Sequence, residues 1–313
     1  MTSPKRRAAA LAAVLAAASL AACSSTASLR ADTAAPPAAV SGPAPTGKYL
    51  GVAAPGSPKS YAPVAAFAAL TGAKPDIAEY YSAWWEPFSS AFATTALRHG
   101  SYVLVDINPD VPLGKITAGA YDGYLRSFAE SVKAFGRPVI ISFAHEPDGP
   151  WWAWGDTRIG AATYVKAWRH VVDVFRAEGA TNATWLWTVV VTPESAAALK
   201  ALYPGDAYIN WVGLNGYFTH PTLTYTSTFG PTMAKIRTFT AKPLLISETG
   251  VPSRNGAAVA GQVASLFEGA KDSPGVIGFV WFDYAQKGAP ENWDLADDPA
   301  ALAAFRAAVR GFG

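Results

Sequence analysis

The chain reads as an α/β protein, a closed (β/α)8 barrel forming a single catalytic domain, on three observations. About eight short β-rich runs alternate with helical segments from residue 49 to the C-terminus. These runs are continuously apolar instead of alternating, which suits strands covered on both faces of a parallel sheet. The segments between them place apolar residues at helical spacing and stop at glycines.

Taken in order, Tyr49 to Val52 is the first predicted strand and Pro63 to Leu70 the helix after it. Ile77 to Trp84 and Tyr102 to Ile107 are the second and third strands, separated by a helix over Phe88 to Arg98. Tyr121, Leu125, Phe128, Val132 and Phe135 share one helical face that ends near Gly136, and Val139 to Phe143 is the fourth strand. Tyr164, Trp168, Val172 and Phe175 form the next helical face, before Gly179, and Thr184 to Val190 the fifth strand. A short helix over Pro193 to Leu202 leads to Trp211 to Leu214, the sixth strand. Helices over Pro231 to Phe239 and Ala257 to Ala270 flank the seventh strand, Leu244 to Ser247. Val276 to Trp281 and a helix from Pro299 to Val309 close the set. Such alternation through eight units predicts a closed barrel. The rival, a doubly wound open sheet, lacks support: the first strand-to-helix turn has no G-x-G-x-x-G and no P-loop is present.

The ends belong to other business. Lys5-Arg6-Arg7 is a basic n-region, and Ala8 to Ser19 an apolar h-region too short for a good membrane span. Leu20-Ala-Ala-Cys23 resembles a bacterial lipobox, which implies cleavage of residues 1–22 and a lipid on Cys23. Residues 23–47, rich in Ala, Pro, Ser and Thr, have too few large apolar side chains to fold and form a tether. The catalytic domain is 48–313. The expected location is the outer face of a bacterial cell membrane, through the lipid anchor, with release to the medium as a further outcome. Cys23 is the only cysteine, so no disulfide and no structural cysteine zinc site can form. Removing Lys5, Arg6 and Arg7, and no acid, turns the net charge from +2 to −1. With no basic stripe left, nucleic acid is not an expected partner, and no protein partner is inferred.

The chemistry concentrates in Ser142-Phe-Ala-His-Glu-Pro-Asp-Gly-Pro-Trp-Trp-Ala-Trp154. Here His145 and Glu146 stand where a buried strand ends and an aromatic-rich loop begins. Active sites of such barrels lie at the C-terminal ends of the strands, so Glu248, after the seventh strand, faces the same cleft as Glu146, after the fourth. Glycoside hydrolysis needs a carboxylic acid to protonate the leaving oxygen and a second carboxylate on the other side of the sugar. The acid has to stay protonated near neutral pH, which desolvation and a nearby negative charge both favour. Trp151, Trp152 and Trp154 are placed to supply the first and an ionised Glu248 the second. Singly, each signal has a bland reading, a capping glutamate, a loop histidine or a hydrophobic plug; Trp168, Trp185 and Trp187 read as core. Their coincidence in one loop, with a second glutamate after the right strand, points to a sugar-cleaving enzyme.

His145 to Trp154 is similar to the His-Glu-Met-Asn-Gly-x-Trp-x-x-Trp signature of glycoside hydrolase family 26, the family of β-mannanases. Gly51-Val-Ala-Ala-Pro-Gly56, Tyr80-Tyr-Ser-Ala-Trp-Trp-Glu-Pro-Phe88, Trp211-Val-Gly-Leu-Asn-Gly-Tyr217, Ser247-Glu-Thr-Gly250 and Gly278-Phe-Val-Trp-Phe-Asp283 resemble its first, second, sixth, seventh and eighth strands. The resemblance implies that Glu146 is the general acid/base and Glu248 the nucleophile of a retaining double displacement. It implies that His145 contacts the −1 sugar or the carboxylates, that Tyr217 bonds the nucleophile, that Trp151 stacks on the +1 sugar and that Trp281 floors the −1 sugar. It implies neither a metal nor an organic cofactor. One departure stands out: Pro147-Asp148 replaces Met-Asn. Proline removes a backbone donor, and an ionised Asp148 close to Glu146 raises the acid's pKa further or changes the hydroxyl pattern that is read.

The expected activity is a retaining endo-β-glycanase acting on a β-linked polysaccharide, with β-1,4-mannan the default substrate. Mixed-linkage β-glucan and β-1,3-xylan are the alternatives on the same scaffold. A lipid-anchored carbohydrate-binding protein without turnover and a transglycosylase are the alternatives of other classes.

Overall fold

The computed structural model describes residues 47–285 and 291–312; Cys23, the expected leader and all but the last residue of the expected tether lie outside them. The elements run β1 (Tyr49–Ala53), α1 (Ala62–Thr71), β2 (Ile77–Ala83), α2 (Ser90–Arg98), β3 (Tyr102–Asn108), α3 (Leu113–Thr117), α4 (Asp122–Phe135) and β4 (Val139–Phe143). They continue α5 (Asp156–Ile159), α6 (Ala161–Ala177), β5 (Ala183–Val190), α7 (Ala196–Ala201), β6 (Trp211–Asn215), α8 (Tyr225–Ile236), β7 (Leu244–Thr249), α9 (Val259–Asp272), β8 (Val276–Phe282) and α10 (Pro299–Val309). The strands form a closed barrel in sequence order, with β1 pairing in parallel to both β2 and β8. Every predicted strand is present, with ends within two residues of those read from the sequence.

The strands are apolar on both sides because each lies between two packed layers. The barrel interior is plugged at its lower end by Tyr49, Ile77, Leu104, Ile140, Leu186, Trp211, Leu245 and Val280. The opposite faces meet the helices, where Leu125, Phe128, Ala129 and Val132 of α4 and Trp168, Val172 and Phe175 of α6 are buried. Gly136, at φ 66°, lets α4 end in the left-handed turn that other residues resist.

Two helical expectations change. Pro231 does not open its helix; α8 begins six residues earlier, at Tyr225. Thr224 and Ser227 form a reciprocal capping box there, which satisfies the free backbone donors that a leading proline would have removed. Two short helices, α3 and α5, fall in the loops after β3 and β4, where the apolar spacing is too short to show a period.

β7 matters most for the site. Between Gly213 and Asn215 of β6 the pairing advances from Leu245 to Glu248, and against β8 it advances from Ile246–Phe279 to Thr249–Trp281. Over this stretch β7 carries one residue more than either neighbour, a bulge; against β8 it offsets an extra residue, Ile277, at the start of that strand. It lets two consecutive side chains, Ser247 and Glu248, both turn to the barrel mouth, where strict alternation would expose only one.

Candidate active site

The plug gives way at the C-terminal ends of the strands to a cleft of about 540 Å³. Tyr81, His145, Glu146, Trp151, Tyr217 and Glu248 line it together with Phe282, Tyr284 and Trp293. Glu146 and Glu248, far apart in sequence, are both buried and meet across Asn215. The Asn215 Nδ2 donates to Glu146 Oε1 at 2.8 Å and to Glu248 Oε2 at 2.8 Å. The nearest oxygens of the two carboxyls therefore lie no farther apart than twice that distance. Asn215 is itself held by Ser247 Oγ, which donates to its Oδ1 at 2.7 Å and so fixes which end of the amide faces the acids.

Each glutamate is oriented by further donors. Trp151 Nε1 donates to Glu146 Oε2 at 2.7 Å and Trp152 Nε1 to the same oxygen at 3.2 Å. These indoles thus act as hydrogen-bond donors and not as an apolar wall alone. Tyr81 donates its hydroxyl to Glu248 Oε1 at 2.7 Å, and Tyr217 also hydrogen-bonds Glu248. Burial, with the charge of Glu146 next to it, pushes the Glu248 carboxyl up to about 8, against the pull of the two tyrosine hydroxyls.

The loop after β4 turns sharply to aim these groups. Ala144 and Glu146 have φ of 48° and 53°, a left-handed conformation unusual for residues with a Cβ. It is held on both sides: Glu146 N donates to Thr188 O on β5, and Trp154 Nε1 donates to His145 O. Trp154 stacks on Trp152 with ring centroids 4.7 Å apart, which braces the donor to Glu146 from behind. Trp151 stays 54% exposed, its indole folded back over Gly149, where a Cβ would sit 2.5 Å from the ring.

Two sequence expectations are corrected. Trp281 does not floor the cleft. Along β8 it is Val280 and Phe282 that face the barrel interior, so Trp281 points outward, fully buried against Phe305. Its Nε1 donates to the carbonyl of Trp293, and Trp293 supplies the wall in its place. Gly250 makes room for that indole, since a Cβ there would lie 2.6 Å from it. Asp148 does not reach the cleft either. Its carboxyl accepts from Val190 N at 3.0 Å, pinning the β4 loop to the end of β5. Burial raises it to about 7, with the Glu146 charge contributing less.

The sequence reading passed over Asn215, Tyr81, Glu79 and Asp106. A signal existed for the two acids: Glu79 and Asp106 each interrupt an otherwise apolar strand, a costly placement unless it serves the site. Among the described residues no group of three or more His, Cys, Asp or Glu is arranged to hold a metal ion.

Known proteins resemble this chain in sequence and fold. The model of the family described as glycosyl hydrolase family 26 matches residues 114–243. Endoglucanase H of Acetivibrio thermocellus is 28% identical over 269 residues, 81% of this chain and 29% of that protein. A mannan endo-1,4-beta-mannosidase of Bacillus subtilis is 27% identical over 183 residues, 54% of this chain and 45% of the relative. The chain thus spans less than half the length of either curated relative. Among solved structures, the catalytic domain of a Bacillus sp. JAMB-750 GH26 endo-beta-1,4-mannanase superposes with a TM-score of 0.66 at 16% identity. That match covers 85% of this chain and 86% of the other, and at this identity it speaks for the barrel alone. The match to this family's model runs from α3 to the residue before β7, on a barrel that brings the two strand-end glutamates together.

Proposed function

We propose that the chain is a retaining endo-β-glycanase that cleaves a neutral β-linked polysaccharide, with β-1,4-mannan as its leading substrate. The observation that carries the mechanism is the single Asn215 nitrogen bonded to both glutamates. It keeps their nearest oxygens no farther apart than twice 2.8 Å, which suits the close carboxyl pair of a retaining enzyme, roughly 5–5.5 Å apart, better than the roughly 6.5–9.5 Å that an inverting enzyme needs to fit a water.

The two coupled carboxyls share one proton; in the first step, with that proton on Glu146, the Glu248 carboxylate attacks the anomeric carbon while Glu146 gives the proton to the departing glycosidic oxygen, leaving a glycosyl ester on Glu248. In the second, Glu146 takes a proton from water, the water oxygen attacks the same carbon, and Glu248 leaves as carboxylate. His145 and Trp151 contact the sugars on either side of the cleavage point, and Tyr217 and Tyr81 hold the nucleophile's rotamer. Among the described residues, mainly acids and aromatics line the cleft and no lysine or arginine does, which suits a neutral backbone better than a uronic acid.

A mixed-linkage β-glucan is the second reading, favoured by the extent of the similarity to an endoglucanase, which runs over 81% of this chain. The test is digestion of mannan, glucomannan, mixed-linkage glucan and β-1,3-xylan by residues 48–313, with products sized and their anomers followed by NMR from the first minutes. Products with the β-configuration support the mechanism. Initial α-products refute it, and binding without cleavage of any of the four makes the protein a carbohydrate-binding one. The basic n-region, the short apolar stretch and the lipobox-like Cys23 support an exported, lipid-anchored enzyme that works on polysaccharide at the cell surface.

A further inference from the structure

Below the two glutamates lies a second pair of acids that the proposed chemistry does not use. Glu79 on β2 and Asp106 on β3 point into the barrel just above Ile77 and Leu104, and both are under 5% exposed. No lysine or arginine among the described residues pairs with either. Asp106 instead faces His145, with Oδ1 3.6 Å from Nδ1. Glu79 is in hydrogen-bond contact with Asp106, and its Oε2 has no partner among the described residues.

Two carboxyls can share a hydrogen bond only if one of them carries a proton. We infer that Glu79 is a neutral acid that donates to Asp106, and that the Asp106 carboxylate so held keeps the His145 proton on Nδ1, making Glu79 and Asp106 positioning residues of the cleft. Three features support the direction of the proton. Glu79 is the deeper of the two, and its burial and the charges of Asp106 and Glu248 all drive its carboxyl well above the usual range. Asp106 has a partner that gains from its charge, the His145 Nδ1, which lies 3.6 Å away and makes no hydrogen bond among the described residues. His145 has little freedom otherwise, since Trp152 meets its ring edge-on at 5.0 Å and Trp154 holds its carbonyl. With the proton fixed on Nδ1, the neutral ring presents Nε2 to the cleft as an acceptor for a sugar hydroxyl. Plain apolar residues fill the same strands one layer down, so the cost of burying two acids is met where it serves the site.

This inference rests on the proposed glycanase reading, and its test separates the two. Long-range ¹H–¹⁵N spectra of labelled protein report the His145 tautomer with no substrate present. The expected result is a proton on Nδ1 in the wild type and a shift toward Nε2 in Asp106→Asn, with kcat/KM lowered about 10- to 100-fold, mostly in KM, as for loss of one oriented contact. Glu79→Leu is expected to lose a similar factor, and Glu79→Gln, whose amide still donates to Asp106, to restore most of it. A wild-type proton on Nε2 would overturn the inference, and so would Glu79→Gln as poor as Glu79→Leu. If a variant fails to fold, the wild-type tautomer alone decides. Inactivity on every glycan with the expected tautomer would sink the glycanase reading and leave the acid pair standing.

Discussion

Asn215→Ala removes the one nitrogen that both glutamates share, and its consequences follow from the distances. Each carboxylate loses a donor at 2.8 Å, and a hydrogen bond to a charged group contributes about 1.5–3 kcal/mol. Two full charges separated by twice 2.8 Å repel by about 3 kcal/mol at an effective dielectric near 20, so the amide offsets much of a real repulsion. Without it the pair holds its proton more tightly. In the wild type, Glu248 is raised to about 8, so the pair carries the proton that the leaving oxygen needs up to that pH and kcat/KM falls above it. In the variant the same alkaline limb moves up by about one pH unit, one bond's worth of free energy. Activity at pH 7 nonetheless drops about 100-fold, because the two groups are no longer held to one geometry. The assay is a pH series of kcat/KM on soluble glucomannan or mixed-linkage glucan, whichever is cut, with melting temperatures as a control. A folded variant that keeps its limb near 8 and loses less than threefold in kcat/KM refutes the bridging role.

Other outcomes test separate parts of the site. Glu248→Gly is expected to be inactive on glycans and partly rescued by azide with inversion of configuration; a rescued product of retained configuration would contradict the nucleophile assignment. Because burial holds Glu248 above its unfolded value, its native form binds the extra proton between about pH 4.5 and 8, and the wild type loses stability as pH rises through that window. Glu248→Gln should therefore be no more stable than wild type at pH 4.5 but more stable at pH 9, by up to about 5 kcal/mol; a constant difference across pH would count against it. Trp151→Phe keeps a stacking ring and loses the N–H to Glu146, so it should lower kcat about tenfold while leaving KM near wild type, whereas Trp151→Ala should raise KM as well; equal effects of the two would deny the indole its second role. Asp148→Asn can still accept from Val190 N and is expected to leave the order of substrate preference unchanged; a reversed order would return Asp148 to specificity. Cys23→Ser should shift the full chain out of the detergent phase, and unchanged partitioning would argue against lipidation.

The eight strands were legible because a parallel barrel buries both faces of each strand and so writes an unbroken apolar run into the sequence. Glu146 was legible for a related reason: a carboxylate among indoles directly after such a run has few structural uses. The rest of the site depends on register, which the sequence does not display. By the period of two, Ile246 and Glu248 would share a face and Glu248 would turn away from the barrel; the extra residue in β7 reverses that, and no glycine or proline within the strand announces it. The same period misplaced Trp281, whose neighbours Val280 and Phe282 occupy the interior. Asn215 escaped notice because an asparagine at a strand end has many ordinary uses, and only the closed barrel shows that its amide lies midway between the acids. Glu79 and Asp106 sat in plain view inside apolar strands, but which face of the barrel they take is again a matter of register.

These corrections move the question of substrate from one side of the cleft to the other. The β4 loop, where Pro147 and Asp148 depart from the family pattern, is committed to holding Glu146 in a strained backbone. Left-handed conformations at Ala144 and Glu146 cost on the order of 1–3 kcal/mol each, and the bonds from Glu146 N to Thr188 O and from Val190 N to Asp148 hold them there. A loop so constrained has little freedom to read a sugar's hydroxyls. Tyr284 and Trp293 stand on the segment after β8, Phe282 stacks on Tyr284 at 4.4 Å, and Tyr217 packs against Trp293 at 4.8 Å. Trp293 lines the cleft where Trp281, expected as the floor under the −1 sugar, does not, and it is set there by a backbone contact and by a glycine, Gly250, two residues after Glu248. Which of mannan, glucan and xylan is cut is therefore expected to respond to substitutions at Phe282, Tyr284 and Trp293, whose rings line the cleft, more than at Pro147 or Asp148.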